Sequence, residues 1–419
     1  MSNTNLSKTQ FPQLLLATGL SNLTDGIFKV ILPISVIDLG GTAFEVGIAT
    51  AILATSWPVF GMIAGACSDV YDRRKIVVIS STSRTIALLF ILIATMLPGT
   101  NAIFAIFVAT AVFAAAEAFS YTAQSGIITK LVPKDRRSFA NSRLSLVRNS
   151  AGEFGGPFLA ATLTSVGFIC GYYVSAFSCL TATLLIYSIK GDYTPIDIDS
   201  SFHKEKSART ALADIKKGLV FLMHHRELRT MAIMASMLAG GWGVWMAVMP
   251  VHLAHNLVPN DAGAVFGTFM MVFAAGGLLG ASLTGFLAKL FDERTLLLSD
   301  FVGTFLALIT PASTDNLILI GISIFLCGAG GSIWGIIAAV QRQNLSPDNM
   351  LGRVTGAFRL VAYLLMPVFA LIGGNLAERV PIPTLFAVFS VIPIIGCVYA
   401  MTYIGVGSGW RRNDTERDF

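Results

Sequence analysis

The chain has 419 residues, of which 54% are hydrophobic and only 13% charged. A soluble domain carries roughly 25% charged residues, so the composition argues against a soluble enzyme, a disordered chain and a secreted disulfide scaffold. The net charge of +5 invites a nucleic-acid partner, but the placement of the basic residues points to membrane topology instead.

In chain order, the first ten residues, MSNTNLSKTQ, are polar and lack the apolar core and small-residue cleavage site of a signal peptide. The first apolar run is therefore expected to stay as a helix. Apolar runs separated by polar turns predict twelve membrane-spanning helices, at 11–38, 43–68, 76–97, 101–129, 138–163, 168–189, 228–256, 264–288, 295–311, 316–341, 352–377 and 383–406. The turns are short, as between antiparallel neighbours of a bundle, except for the polar stretch 190–227. Loops and termini on one side of this pattern hold 23 of the 29 Lys and Arg residues. The other side holds Arg379, and five lie within spans: Lys29, Arg84, Arg143, Arg148 and Arg359. The positive-inside rule then puts both termini in the cytoplasm, which agrees with an even number of spans.

The expected fold is an all-α membrane protein of two six-helix bundles, 1–189 and 228–406, joined by a cytoplasmic linker at 190–227 and followed by a cytoplasmic tail at 407–419. Within the linker, Ala208, Leu212, Ile215, Leu219 and Leu222 share one helical face, with Arg209, Lys216 and Lys217 elsewhere. That pattern predicts an amphipathic helix on the membrane surface, acting as a tether drawn to anionic headgroups or as a regulatory element. The five cysteines (Cys67, Cys170, Cys179, Cys327, Cys397) form no C-x-x-C pair and are expected to be buried free thiols, with no metal site.

An internal repeat divides the chain near its middle. Gly65, Asp72 and Arg74 after the second span recur as Gly285, Asp292 and Arg294 after the eighth, an offset of 220 residues. Pro133 after the fourth span recurs as Pro347 after the tenth, an offset of 214. Two similar halves in parallel orientation imply a site at their interface that opens to either side in turn.

At these residues the chain resembles the major facilitator superfamily. Gly65, Asp69, Arg73 and Arg74 or Lys75 match its loop motif G-x-x-x-D-R-x-G-R-R/K, with Val70 and Asp72 as departures. The resemblance implies that this loop latches the second span to the eleventh. Gly152, Gly156 and Pro157 resemble the helix-5 motif G-x-x-x-G-P-x-x-G-G that the superfamily associates with export, with Ala160 and Ala161 in place of the last two glycines. Ordinary small-residue helix packing fits the same pattern. The stretches SNLTDGIFKVILP (21–33), LVPKDRRSFANSRLS (131–145) and NLSPDNMLGRVTGAFRL (344–360), with Glu117, resemble the transmembrane secretion effector branch, which holds enterobactin exporters and macrolide efflux proteins.

A charge at mid-bilayer costs at least ~2.5–3.5 kcal/mol, so charged residues inside spans usually face the bundle interior and are paired. Asp25 and Lys29 are four apart and can pair on one helix face; in the functional alternative Asp25 carries a proton. Glu117 has no basic neighbour one turn away, which makes it the strongest candidate for proton coupling. Arg148 and Glu153 are five apart, too far round the helix for a good pair, so Arg148 is expected to reach Asp25 or Glu117. Arg84, Arg359 and Asp300 are expected in gate or interface ion pairs near the cytoplasm.

The seventh span carries Gly240, Gly241, Gly243 and Pro250, all of which weaken or bend a helix. Trp242, Trp245 and Met246 there offer an aromatic and thioether surface to a bulky ligand, or pack against lipid. His252 and His255 are expected at the outer interface. Phosphate-loop, zincin and nucleophile-elbow motifs are missing, which argues against ATP hydrolysis and membrane enzymes.

The resulting expectation is a non-enzymatic, multi-pass bacterial inner-membrane transporter, monomeric and without a cofactor. It exchanges protons for a medium-sized amphipathic compound such as a siderophore or a macrolide-like drug. An uptake symporter on the same fold and a non-transporting receptor or scaffold are the alternatives.

Overall fold

The computed structural model describes residues 3–97, 100–194, 208–347 and 350–404; side chains before Gln10, at Trp57, Met62, Ala66, Lys134 and 208–215, and after Thr402 are outside the description. The predicted tail 407–419 and linker residues 195–207 fall outside it as well. The described residues form helices and turns, with no strand among them. In hydrocarbon every backbone N–H and C=O needs a partner within the chain, which a helix supplies.

The first half comprises α1 (Asn3–Asp38), α2 (Ala43–Ala54), α3 (Gly61–Val70), α4 (Arg73–Ala94), α5 (Thr100–Leu131), α6 (Arg137–Asn149), α7 (Gly156–Thr164) and α8 (Phe168–Ser188). The connecting helix is α9 (Ala208–His224). The second half comprises α10 (Arg226–His252), α11 (Ala262–Leu290), α12 (Glu293–Ser313), α13 (Leu317–Leu345), α14 (Leu351–Tyr363), α15 (Leu365–Ala377), α16 (Ile382–Phe389) and α17 (Val391–Ile404).

Four predicted spans are each divided in two, and in each case a proline explains the division. A proline lacks the N–H that would bond the carbonyl four residues earlier. Pro58 leaves the carbonyl of Ala54 without that donor, where α2 ends in a π-turn, Ser56–Phe60. Pro157 follows a second π-turn, Ser150–Gly155, between α6 and α7. Pro367 and Pro393 stand four residues past the ends of α14 and α16.

Eleven helical stretches among the described residues are long and apolar enough to cross a membrane. The predicted span 138–163 is not one of them, because α6 is polar. Asn141, Ser142, Arg143, Ser145 and Asn149 on α6 are all exposed.

The packed core has three parts, and their distribution defines the shape of the molecule. The connections at 71–72, 132–136, 291–292 and 346–347 mark one end of the bundle, here called the basic end. At that end a cluster around Leu14, Val77, Ile127 and Leu144 belongs wholly to the first half. Another around Leu228, Leu297, Ala338 and Val354 belongs to the second, joined by Leu222 of α9. At the opposite, far end a single cluster joins both halves, with Ile31, Val46 and Ile106 packed together with Val248, Phe266 and Phe386. The halves are thus fused at the far end and carry separate cores at the basic end.

Close backbone approach makes the far-end seam possible. A Cβ on Gly47 of α2 would lie 2.8 Å from the carbonyl oxygen of Ala370 on α15, and one on Gly267 of α11 would lie 2.8 Å from the Cβ of Ala161 on α7. The backbone N–H of Phe44 also donates to Glu378 across the seam at 3.1 Å.

The sequence repeat reappears as a repeated bond. Arg74 at the start of α4 donates to the carbonyl of Tyr187 at the end of α8. Arg294 at the start of α12 donates to the carbonyl of Met401 at the end of α17, at 2.9 Å.

On α9, Lys216 and Lys217 are exposed while Leu222 is buried in the second half's core. Ala208, Arg209, Leu212 and Ile215 lie among the undescribed side chains. Of the five free cysteines only Cys179 and Cys327 are buried; the other three are half-buried.

Candidate functional site

At the basic side of the shared core, α1, α5 and the α6–α7 segment bring charged side chains around a cavity of about 280 Å³. Asp25, Lys29, Glu117, Arg148 and Glu153 all line it. The sequence therefore selected residues that do meet, but it paired them differently.

Asp25 does not pair with Lys29. It pairs with Arg84 of α4, whose guanidinium also donates to the Ser21 hydroxyl at 2.7 Å and lies 4.5 Å from the Phe113 ring centre. Arg84 is 1% exposed and is thus a buried partner inside the first half, not a gate residue. Lys29 instead donates to Glu153 at 3.2 Å, and the two side chains stay 39% and 50% exposed, open to the cavity. The distinction matters: one pair is dry and fixed, the other wet and adjustable.

Among the described residues Arg148 forms no ion pair with Asp25 or Glu117. Its guanidinium reaches the Ser125 hydroxyl, the Tyr121 carbonyl and Gln124 Oε1, each at 3.4 Å, and stacks 4.1 Å over the Tyr121 ring. Glu117 accepts a hydrogen bond from the Ser56 hydroxyl at 3.1 Å. Ser56 opens the π-turn after α2, so this carboxylate is joined to a broken helix.

The small residues of the helix-5 motif seat α1. A Cβ on Gly26 would come 2.9 Å from the Cα of Gly156 and still closer to the carbonyl oxygen of Gly152. Ala161, four residues past Pro157, meets Gly267 of the other half. The loop motif works within the first half. Arg73 donates to the Gly126 carbonyl at 2.9 Å and Arg74 holds α8, while Asp69 and Lys75 are exposed and Gly65 has open space around its Cα.

A second cavity, of about 440 Å³, lies in the second half. Trp242 lines it, stacked on Phe273 with centroids 4.5 Å apart and on Trp245 at 5.0 Å. Trp245 and Met246 belong to the packed core. Asp300 of α12, Arg342 of α13 and Arg359 of α14 also line this cavity. Arg359 and Tyr363 line both cavities. His252 is not interfacial: it is buried at the far end, edge-on to Phe386 at 6.0 Å, while His255 is exposed.

Residues 14–370 match the family model of the Major Facilitator Superfamily. The chain belongs to that superfamily. Members of the Major Facilitator Superfamily are transporters, and this chain is a multi-pass transporter of the bacterial plasma membrane, not an enzyme. It is 25% identical over 400 residues to the multidrug efflux pump Tap of Mycolicibacterium fortuitum, covering 92% of this chain and 94% of that one. It is 23% identical over 359 residues to the enterobactin exporter EntS of Citrobacter koseri, covering 84% and 82%. Among solved structures, a variant of the nucleoside transporter NupG superposes with TM-score 0.77 at 12% identity, over 94% of this chain and 100% of the other. A variant of the peptide transporter POT with bound sulfate superposes with TM-score 0.74 at 13% identity, over 97% and 98%. These superpositions speak to the superfamily fold alone.

Proposed function

We propose that this chain is a proton-coupled exporter of a medium-sized amphipathic compound, working by alternating access. Its moving units are 1–189 and 228–406, with 137–164 as the fifth of twelve spans and both termini in the cytoplasm. The basic end is then cytoplasmic, and the state described here is open to the cytoplasm and sealed at the far end. The protein acts as a monomer. Export and an amphipathic cargo draw support from the relatives named as efflux pump and exporter, and from the Gly152-to-Pro157 seam.

The observation that carries the coupling is the shared wall. The ion cluster of the first half and the cavity of the second both reach Arg359 and Tyr363. A charge change at Glu117, Glu153 or Lys29 is therefore felt where the cargo would lie. One proton moving through 100 mV supplies ~2.3 kcal/mol, enough for roughly a fiftyfold gradient of a neutral solute at 1.4 kcal/mol per tenfold.

Everted vesicles test direction: an exporter accumulates substrate when the lumen is acidified, whereas an uptake symporter drains it. In the same vesicles Glu117→Gln should lower pH-driven flux at least tenfold while the purified variant still elutes as one folded species. Undiminished pH-driven flux would remove Glu117 from the coupling.

A further inference from the structure

The second-half cavity has a chemical character that goes beyond the transport reading while resting on it. Its volume of about 440 Å³ falls in the range of small-molecule pockets. Aromatic side chains stand in its wall: Trp242 stacked on Phe273, with Trp334, Phe358 and Tyr363. A carboxylate, Asp300, stands in this wall.

Asp300 accepts a hydrogen bond from the Thr304 hydroxyl, one turn along α12, at 3.3 Å. On its other side lies Gly331 of α13, where an added Cβ would sit 3.6 Å from the Asp300 carboxylate oxygen. Among the described residues no lysine, arginine or histidine nitrogen lies within ion-pair distance of it. Asp25 and Glu153 in the first half each have such a partner. A carboxylate held in an apolar wall without a counter-charge is costly, and aromatic faces are favourable neighbours for a cation.

Two guanidinium groups also border the cavity, and they stand away from Asp300. Arg342 is eleven residues along α13 from Gly331, or roughly 16 Å at ~1.5 Å per residue. It lies over the Phe358 ring at 4.8 Å. Arg359 lies on the wall shared with the first half. Neither arginine forms an ion pair with Asp300 among the described residues.

We propose that this cavity binds an aromatic organic cation, with Asp300 as its counter-ion and the Trp242–Phe273 stack as its platform. The first half then handles the coupling charge and the second half the charge of the cargo.

Tetraphenylphosphonium and tetraphenylborate test this directly, because they share shape and differ in sign. Binding of each to the purified full-length protein in nanodiscs is read by equilibrium dialysis, without any gradient. Tetraphenylphosphonium should bind the wild type more tightly than tetraphenylborate. Asp300→Asn should weaken the cation at least tenfold and leave the anion no weaker, and Asp300→Glu should stay within about threefold of wild type. Trp242→Leu should weaken the cation severalfold and serves as the second variant if Asp300→Asn does not fold. Equal cation binding by wild type and a folded Asp300→Asn, or tighter binding of the anion by wild type, would overturn the proposal. Binding with the expected pattern but no movement of tetraphenylphosphonium in proteoliposomes would sink the transport reading and leave the Asp300 site standing.

Discussion

The two halves share a repeat, a helix order and an Arg-to-carbonyl bond at corresponding loops, yet they use their interiors differently. The first half fills its interior with paired charges: Asp25 with Arg84, and Lys29 with Glu153. The second half lines its cavity with stacked rings, one acid and two arginines, neither of them paired with that acid. At the 220-residue offset of the repeat, Arg84 corresponds to Thr304, and the cation has become a hydroxyl. An inherited backbone plan therefore tolerates opposite solutions to the problem of a polar interior in lipid. What is preserved is the helix geometry and the loop bonds; what diverges is the chemistry facing the cavity.

The largest expected effect tests whether the first half depends on its buried pair. Arg84→Met strands Asp25 and should cost about 3–5 kcal/mol, as loss of one partner of a buried pair does. Adding Asp25→Asn should recover most of it, because no uncompensated charge is then left. Thr304→Val, the corresponding change in the second half, should cost no more than about 0.5–1.5 kcal/mol for one hydrogen bond. Thermal unfolding of the purified variants reads all three, and equal losses in the two halves would break the comparison.

A smaller effect is expected at the aromatic floor. Trp242→Ala removes stacking on two rings, each pair worth about 0.5–1.5 kcal/mol, and should lower stability by a comparable amount. The smallest is expected at the wet pair. Lys29→Gln should change stability by less than about 1 kcal/mol, as for ion pairs open to water. It should nonetheless alter the pH dependence of flux. A loss as large as that of Arg84→Met would show that the Lys29–Glu153 pair is structural.

Eleven of the twelve predicted spans were legible because lipid imposes a length and a composition on any helix that crosses it, and, apart from the early start of α1 at Asn3, the observed elements begin and end within a few residues of the apolar runs. The repeat was legible for a similar reason, since loop geometry needs particular residues at particular offsets. The breaks were only partly legible. Pro157 does follow a break in its span, but Pro250, expected to bend the seventh span, sits inside unbroken α10, as Pro33 and Pro311 sit inside α1 and α12. Whether a proline divides a helix depends on what neighbours can do for the freed carbonyl. Partner choice was not legible. The i, i+4 spacing correctly placed Asp25 and Lys29 beside one cavity, but α4 and the π-turn after α6 each supply a closer partner. That depends on the relative register of helices far apart in sequence. The significance of Asp300 was hidden for the same reason: a carboxylate's missing cation is visible only once the surrounding helices are in place.

The far-end seam joins Ile31, Val46 and Ile106 to Val248, Phe266 and Phe386 mainly through hydrocarbon contact, with a hydrogen bond from Phe44 to Glu378 at its rim. Such a closure is nearly indifferent to ionic strength but loosens on cooling, when apolar association weakens. Under the proposed alternating access, the balance between the two orientations should accordingly shift with temperature more than with salt, in the direction that opens the hydrocarbon-sealed mouth in the cold.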